Sequence, residues 1–196
     1  MDDDVNGEDW YAQDLSGAEH TGTRFVDVDL TEATATGATF TECTFRGVRF
    51  NASHWTDTAF TGCTFHRCTF FDARFDRAKL LGSRFDDCTF DLLRVDGGNW
   101  SFVSLRRAPL QRVELVGVRL READLAGVKA AGAVLRGCDL SGADLTDADL
   151  TSADLTGSDL SALDPRLARL DGAVIDADQA VVLAESLGLV VRPGRR

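Results

Sequence analysis

Residues 143–157 read Ala143-Asp144-Leu145-Thr146-Asp147, Ala148-Asp149-Leu150-Thr151-Ser152, Ala153-Asp154-Leu155-Thr156-Gly157. These are three units of five residues, each with a small residue, an acid, a leucine and two further polar or small positions. Extending the leucine phase outward from Trp10 to Ile175 gives 34 central positions, of which 30 are large and apolar. The exceptions are His20, Ala35, Ala130 and Pro165. Two residues before the centre, 30 of 34 positions are Ala, Cys, Ser, Thr, Val or Gly, and 15 of the 18 glycines lie two residues after a centre. No insertion shifts the phase.

A period of five matches neither the 3.6-residue helix nor the two-residue strand. It fits a closed solenoid in which each unit supplies one short side and one turn. The central residue and the small residue two before it then point inward, and the other three face solvent. Glycine at the turn phase suits a backbone that needs positive φ. Internal repetition of this kind marks a stacked architecture.

The Ala-Asp-Leu-x-x units resemble those of the pentapeptide-repeat family, and the likeness extends over about 165 residues. What the resemblance implies is an all-β fold: a right-handed quadrilateral parallel β-helix with four units, or 20 residues, per coil. The chain would make about 8 coils, and at ~4.8 Å per coil the rod would be roughly 40 Å long. Phe45, Phe65 and Phe85 would stack in one inward column and Phe50, Phe70 and Phe90 in another, with leucine replacing phenylalanine in the C-terminal half.

All five cysteines (Cys43, Cys63, Cys68, Cys88 and Cys138) fall at the small inward phase. Two pairs are 20 residues apart, a spacing at which a disulfide is conceivable. They read better as small core hydrophobes. No Cys-x-x-Cys pair, histidine cluster, nucleophile–base set or phosphate loop is present, so no metal, cofactor or enzymatic activity is expected. An enzyme working in a β-helix groove is disfavoured by the lack of any loop long enough to wall a pocket. His20 lies inward near the first coil, where a frayed coil accounts for it; His54 and His66 are outward and isolated.

The ends divide the chain further. Residues 1–7 form an acidic segment expected to be disordered, 8–175 the β-helix, 176–191 a capping helix with a dimerisation segment, and 192–196 a basic tail. Asp176-Ala177-Asp178-Gln179 reads as a helix N-cap with Gln at N3. The helix runs to about Leu187 and ends at Gly188. Its stripe of Ala177, Ala180, Val181, Ala184 and Leu187 would cover the last coil. Apolar surface at Val181, Val182, Leu183, Leu187, Leu189, Val190 and Val191 then remains for a second copy, as a C2 dimer; a monomer with a self-contained cap is the alternative.

Asp164-Pro165 and the run Gly172 to Val181, with Gly97-Gly98-Asn99 in mid-chain, are similar to the MfpA and Qnr group of the family, most of all to its loop-free MfpA branch. That resemblance implies a homodimer joined through its C-terminal ends, whose rods imitate duplex DNA and bind the type IIA topoisomerase DNA gyrase. Modulated supercoiling and fluoroquinolone resistance, or protection from natural gyrase poisons, would follow.

The charge supports part of this. The formal charge is −11, from 21 Lys+Arg and 32 Asp+Glu. Residues 1–32 carry −9, 33–100 carry 0, 101–136 carry +4 and 137–196 carry −6. An acidic surface argues against direct nucleic-acid binding. No run of about 18 apolar residues suggests a membrane span, and the acidic start is unlike a signal peptide, so a cytoplasmic protein is expected. A 20-residue coil places Asp124, Asp144 and Asp164 in one outward column with Asp147 beside them, an acidic ladder that would face gyrase. A solvated face with no such role is the plainer reading of each. Arg106, Arg107, Arg112, Arg119 and Arg121 form a basic belt. Phe71 with Leu92, and Leu81 with Phe102, are outward apolar pairs that serve either as contact spots or as scattered surface residues. A structural or regulatory scaffold with a non-topoisomerase partner remains the alternative function.

Overall fold

The computed structural model describes residues 4–192. The chain winds as a parallel β-solenoid in which residue n pairs with residue n+20. One sheet stacks Asp4–Asn6, Arg24–Val26, Thr44–Arg46, Thr64–His66 and Arg84–Asp86. A second stacks six strands from Thr34–Thr36 to Val134–Arg136, and a third joins Glu19–Thr21, Thr39–Thr41 and Ala59–Thr61. The fourth side is held by single bridges, such as Asp29↔Arg49 and Arg49↔Thr69. On the first side, bridges at Ser104, Asp124 and Asp144 prolong the sheet, giving about seven turns of coil from Asp4 to Asp144.

The sequence reading places residues 4–7 in a disordered segment. Here Asp4–Asn6 is instead the first strand, in register with Arg24–Val26. Val5 occupies the inward phase below Phe25, so the five-residue pattern begins one unit before Trp10. The acidic start at residues 1–3 and positions 193–196 of the expected basic tail lie outside the described residues.

Each strand is three residues long because each side must end in a turn. The turn residue two after the centre has positive φ at every corner from Gly7 to Gly172 except Arg112, Ala162 and Leu167, whether it is glycine or not: Asp57, Arg77 and Gly97 occupy one column at φ 50°, 52° and 62°. Long corner side chains lie back over the corner of the next coil. The Arg107 stem crosses Gly127, where an added Cβ would sit 3.2 Å from its Cγ, and the Glu122 carboxylate covers Gly142. Alternating a long residue with glycine gives each such side chain a berth.

Inside, phenylalanines stack at the rise of the coil. Successive centroids in the Phe25, Phe45, Phe65 and Phe85 column lie 4.8, 4.8 and 4.5 Å apart with rings within 7° of parallel. Neighbouring columns meet edge to face, as at Phe45 and Phe50 (5.5 Å, 65°). Both arrangements suit the aromatic quadrupole. The Phe50–Phe70 and Phe70–Phe90 pairs stack likewise, at 4.8 and 5.4 Å. Leucines such as Leu125, Leu145 and Leu160 fill the C-terminal half and leave an axial apolar gap of about 10 Å³. The cysteines are buried free thiols within this core. Burial pushes the Cys138 thiol up.

The coil that holds Trp100 is pinched at Gly98. Its φ is +95°, and a Cβ there would meet the Ala78 carbonyl oxygen at 2.1 Å. Gly97, one residue earlier, has no backbone atom within 4 Å of such a Cβ. Gly98→Ala should therefore lower stability by at least about 2 kcal/mol, through backbone clash and strain. Gly97→Asp, which copies Asp57 in the same column, should cost under about 1 kcal/mol. Thermal denaturation followed by circular dichroism separates the two.

Candidate interaction surfaces

The acid preceding each central leucine has a local job. The Asp144 Oδ1 accepts the Thr146 N–H at 3.0 Å, and Asp139, Asp149, Asp154 and Asp159 take the N–H two residues on in the same way. Asn99 does the same for Ser101. This is the side-chain turn characteristic of Asp and Asn. It fixes the rotamer and leaves the second oxygen directed outward. These bonds, with the Ser or Thr hydroxyl where it also donates, hold the carboxyls of Asp139, Asp144 and Asp149 below the usual range.

The proposed ladder is only partly assembled. Asp124 and Asp144 are bridged neighbours on one side of the rod. Asp147 sits on the adjoining corner at φ 58°, its N–H bonded to the Leu167 carbonyl. Asp164 does not extend the ladder. Among the described residues the bridges on this side end at Asp144. Pro165 replaces the apolar centre and is half-buried, while Leu163 is buried at the inward phase two residues before it. The chain then closes a turn from the Leu167 N–H to the Asp164 carbonyl. Asp164 is also neutralised by Arg166, whose Nε and Nη2 lie 2.9 and 2.7 Å from its two oxygens, pulling its pKa down to about 2. Asp124 faces Arg106 at 3.6 Å. Asp144 and Asp147 have no ion pair within 4 Å among the described residues.

Other outward charges pair between coils. Arg49–Asp29, Arg77–Asp57 and Arg169–Asp149 each join residues 20 apart, at 2.7, 2.7 and 3.4 Å. His54 bonds Asp76 at 2.5 Å. His20 is half-buried and stacks on Phe40 at 5.3 Å. Phe71, Leu81 and Phe102 are exposed, and Leu92 is half-buried.

The C-terminal helix spans Ala177–Ser186, with the anticipated capping box at Asp176 and Gln179. Its contact face differs from the expected stripe. Gln179 is 6% exposed, and its Nε2 donates to the carbonyls of Leu155 and Ser158, both at 2.7 Å. Asp176 reaches across to the Gly157 N–H at 3.1 Å. Gln179 thus satisfies the Ser158 carbonyl, which no further coil above it bonds, the edge problem every open sheet must solve, and adds a second donor to Leu155, whose carbonyl also accepts the Ser158 N–H. Anchoring Gln179 turns Leu183, four residues on, toward the core, whereas Val181 and Leu187 are exposed. Leu183 is therefore a cap residue rather than a free dimer contact. Val182, Leu189, Val190 (84% exposed) and Val191 remain open, joined by Leu167 and Val174 of the last coils.

Residues 123–161 match the family model for pentapeptide repeats, in eight copies. These residues are pentapeptide repeats, and the 20-residue coil geometry continues on either side of them. Residues 12–90 also match the model of the SV2A/B/C luminal domain. No curated protein matches the chain. Among solved structures, the chain is similar to a trypsin-treated variant of QnrB1, a plasmid-mediated fluoroquinolone resistance protein, at 25% identity over 98% of this chain and 99% of that one (TM-score 0.44). HetL, involved in heterocyst differentiation regulation in the cyanobacterium Nostoc sp. strain PCC 7120, matches at 20% identity over 87% and 84% of the two chains (TM-score 0.46). A pentapeptide-repeat protein of the Arabidopsis thaliana thylakoid lumen matches at 18% over 89% and 77% (TM-score 0.21). Among the described residues no His, Cys, Asp or Glu cluster is placed to hold a metal, and no helix is long and apolar enough to cross a membrane.

Gln179→Leu should leave the Ser158 carbonyl unpaired, leave the Leu155 carbonyl with only the Ser158 N–H, and break the capping box, costing about 2–4 kcal/mol. Thermal melts read the loss, and size-exclusion chromatography should show added self-association through the opened end. The paired carboxyls set the acid limit. Those of Asp29 and Asp164 are pulled down to about 2, by Arg49 and Arg166. A carboxyl whose folded pKa lies below its unfolded value stabilises the fold above the unfolded value of about 3.9, and loses that contribution as pH falls through the folded one. The melting temperature should hold from neutral pH to about 5 and fall between about pH 4 and 2.

Proposed function

We propose that this chain is a non-enzymatic, cytoplasmic DNA mimic that binds DNA gyrase, moderates supercoiling and reduces drug-trapped cleavage. In this reading the rods join tail to tail as a homodimer through Val181, Val182, Leu187, Leu189, Val190 and Val191. That places the acidic C-terminal coils of two copies at the middle of one extended body.

The observation that carries the reading is the state of the Asp144 carboxylate. Its Oδ1 is fixed by the Thr146 N–H, its pKa is lowered, and no cation lies within ion-pairing distance among the described residues. Asp147 flanks it at a rigid corner. Anions whose rotamers are already ordered lose little entropy on meeting arginines and lysines placed for phosphates. Like charges one or two coils apart repel, and a basic partner relieves that cost. The resemblance to the MfpA and Qnr group names the partner, since acidic rods alone do not.

A scaffold reading has one observation in its favour: the same aspartates are turn caps, so architecture by itself explains their presence. The double variant Asp144→Asn/Asp147→Asn separates charge from architecture. Asparagine keeps the acceptor for the Thr146 N–H, as Asn99 does for Ser101, and tolerates the positive φ at position 147. If the carboxylates contact gyrase, the folded variant should lose tenfold or more in inhibition of supercoiling and in protection from quinolone-stabilised cleavage. Unchanged inhibition removes these two residues from the interface. Failure of the folded wild-type protein to act on gyrase from several bacteria leaves the scaffold reading.

A further inference from the structure

The bridges on the fourth side run from Asp9 through Asp29, Arg49 and Thr69 to Thr89, stop, and resume from Pro109 through Lys129 and Asp149 to Arg169. Pro109 is the cause. Its counterparts Thr89 and Lys129 donate their N–H groups to Cys68 and Ala108 of the coil before, and proline has none to give. The loss spreads along the coil: Asp87, Phe90 and Leu92 make no main-chain hydrogen bond to the next coil. The coils stay joined on the flanking sides, through Arg84↔Ser104 and Arg94↔Glu114. The result is a cleft of about 490 Å³ between Asp86-Asp87 and Arg106-Arg107.

A second depression, of about 410 Å³, lies on the other side of the same arginines. Small Ala126 and Gly127 form its floor, Lys129 one edge, and Asp144 and Asp147 the far wall. Arg106 and Arg107 thus stand as a ridge between two hollows. Arg106 reaches Asp124 at 3.6 Å. Arg107, whose stem lies over Gly127, and Lys129 have no ion pair within 4 Å among the described residues.

The charges along this corner alternate. Asp86 and Asp87 lie one coil below the arginines and Asp144 and Asp147 two coils above, about 5 and 10 Å away along the rod at the spacing of parallel strands. A nucleic-acid strand following the corner would set phosphates against both acidic pairs, because its charge is uniform and closely spaced. A protein surface that presents one carboxylate between basic side chains meets every group with its opposite.

We propose that Arg106, Arg107 and Lys129 form a docking notch for an acidic side chain of the partner, set within the basic surface that receives Asp144 and Asp147. The inference rests on the gyrase reading and deepens it. Duplex DNA offers an enzyme only anions along its backbone. This rod adds cations at a fixed distance from its carboxylates, so it can hold an acidic group of the enzyme that DNA would repel. That contact favours the mimic over the nucleic acid it imitates.

The test variant is Arg107→Asp/Lys129→Thr. Both replacements copy residues of the same columns, Asp87 and Asp147 for the first and Thr69 and Thr89 for the second, and circular dichroism and melting verify the fold. Binding of wild type, this variant and Asp144→Asn/Asp147→Asn to gyrase holoenzyme is measured at low and physiological salt. A loss of tenfold or more for Arg107→Asp/Lys129→Thr supports the notch. Wild-type affinity for that variant overturns it, and leaves the DNA-mimic reading standing if the aspartate variant is weakened. No binding by folded wild type removes the reading and the notch with it. A fluorescent 20-base-pair duplex serves as a parallel probe: if wild type binds it and Arg107→Asp/Lys129→Thr does not, the notch takes nucleic acid and the proposal fails.

Discussion

The ladder of main-chain hydrogen bonds between residue n and residue n+20 governs this molecule. Once that register is set, every side chain has its vertical neighbours chosen for it. Phenylalanine falls on phenylalanine at ring-stacking distance, and a small residue falls on a small residue. Outward charges face the same constraint. The chain meets it on several columns by setting an arginine above an aspartate, as at Asp29 and Arg49 or Asp57 and Arg77. Where such alternation stops, at Asp144 and Asp147, surplus charge accumulates. Function is then a question of which columns are left unbalanced.

The same register explains how much was legible in the chain itself. A period of five with a heavy centre is a statement about contacts at n+20, so the inward columns, the burial of the cysteines and the capping box at Asp176 could all be read directly. The misses lie where contacts do not follow the period. Asp4–Asn6 joins the first sheet because pairing with Arg24–Val26 outweighs a polar composition. Asp164 leaves its column because Pro165 cannot serve as a centre and the chain closes a local turn from the Leu167 N–H to the Asp164 carbonyl. Leu183 rather than Val181 or Leu187 meets the core, because the side chain of Gln179, not the hydrophobic stripe, fixes the helix rotation. That bond spans 24 residues to Leu155 and has no local signal. The cleft beside Pro109 did have one: proline at a phase whose other members donate to the coil below.

Turn chemistry and recognition chemistry coincide in the Asp of each Ala-Asp-Leu unit. One oxygen closes the turn and the other faces solvent, so the protein cannot build these corners from aspartate without also displaying carboxylates. Asn99 demonstrates that the structural half of the task needs no charge. Retaining aspartate at 139, 144, 149, 154 and 159 therefore adds negative potential beyond what the fold requires. Arg136 and Arg169 offset part of it, at Asp154 and Asp149.

A rod of fixed charges differs from DNA in one respect that matters for competition. DNA carries mobile counterions along a uniform line, and its affinity for a basic surface falls steeply with salt as those ions are released and reabsorbed. Here the compensating cations are covalent parts of the rod, paired with carboxylates at the corners or standing alone at Arg107 and Lys129. On the DNA-mimic reading, binding would displace fewer free ions, and its affinity would decline less with salt than that of a duplex on the same surface.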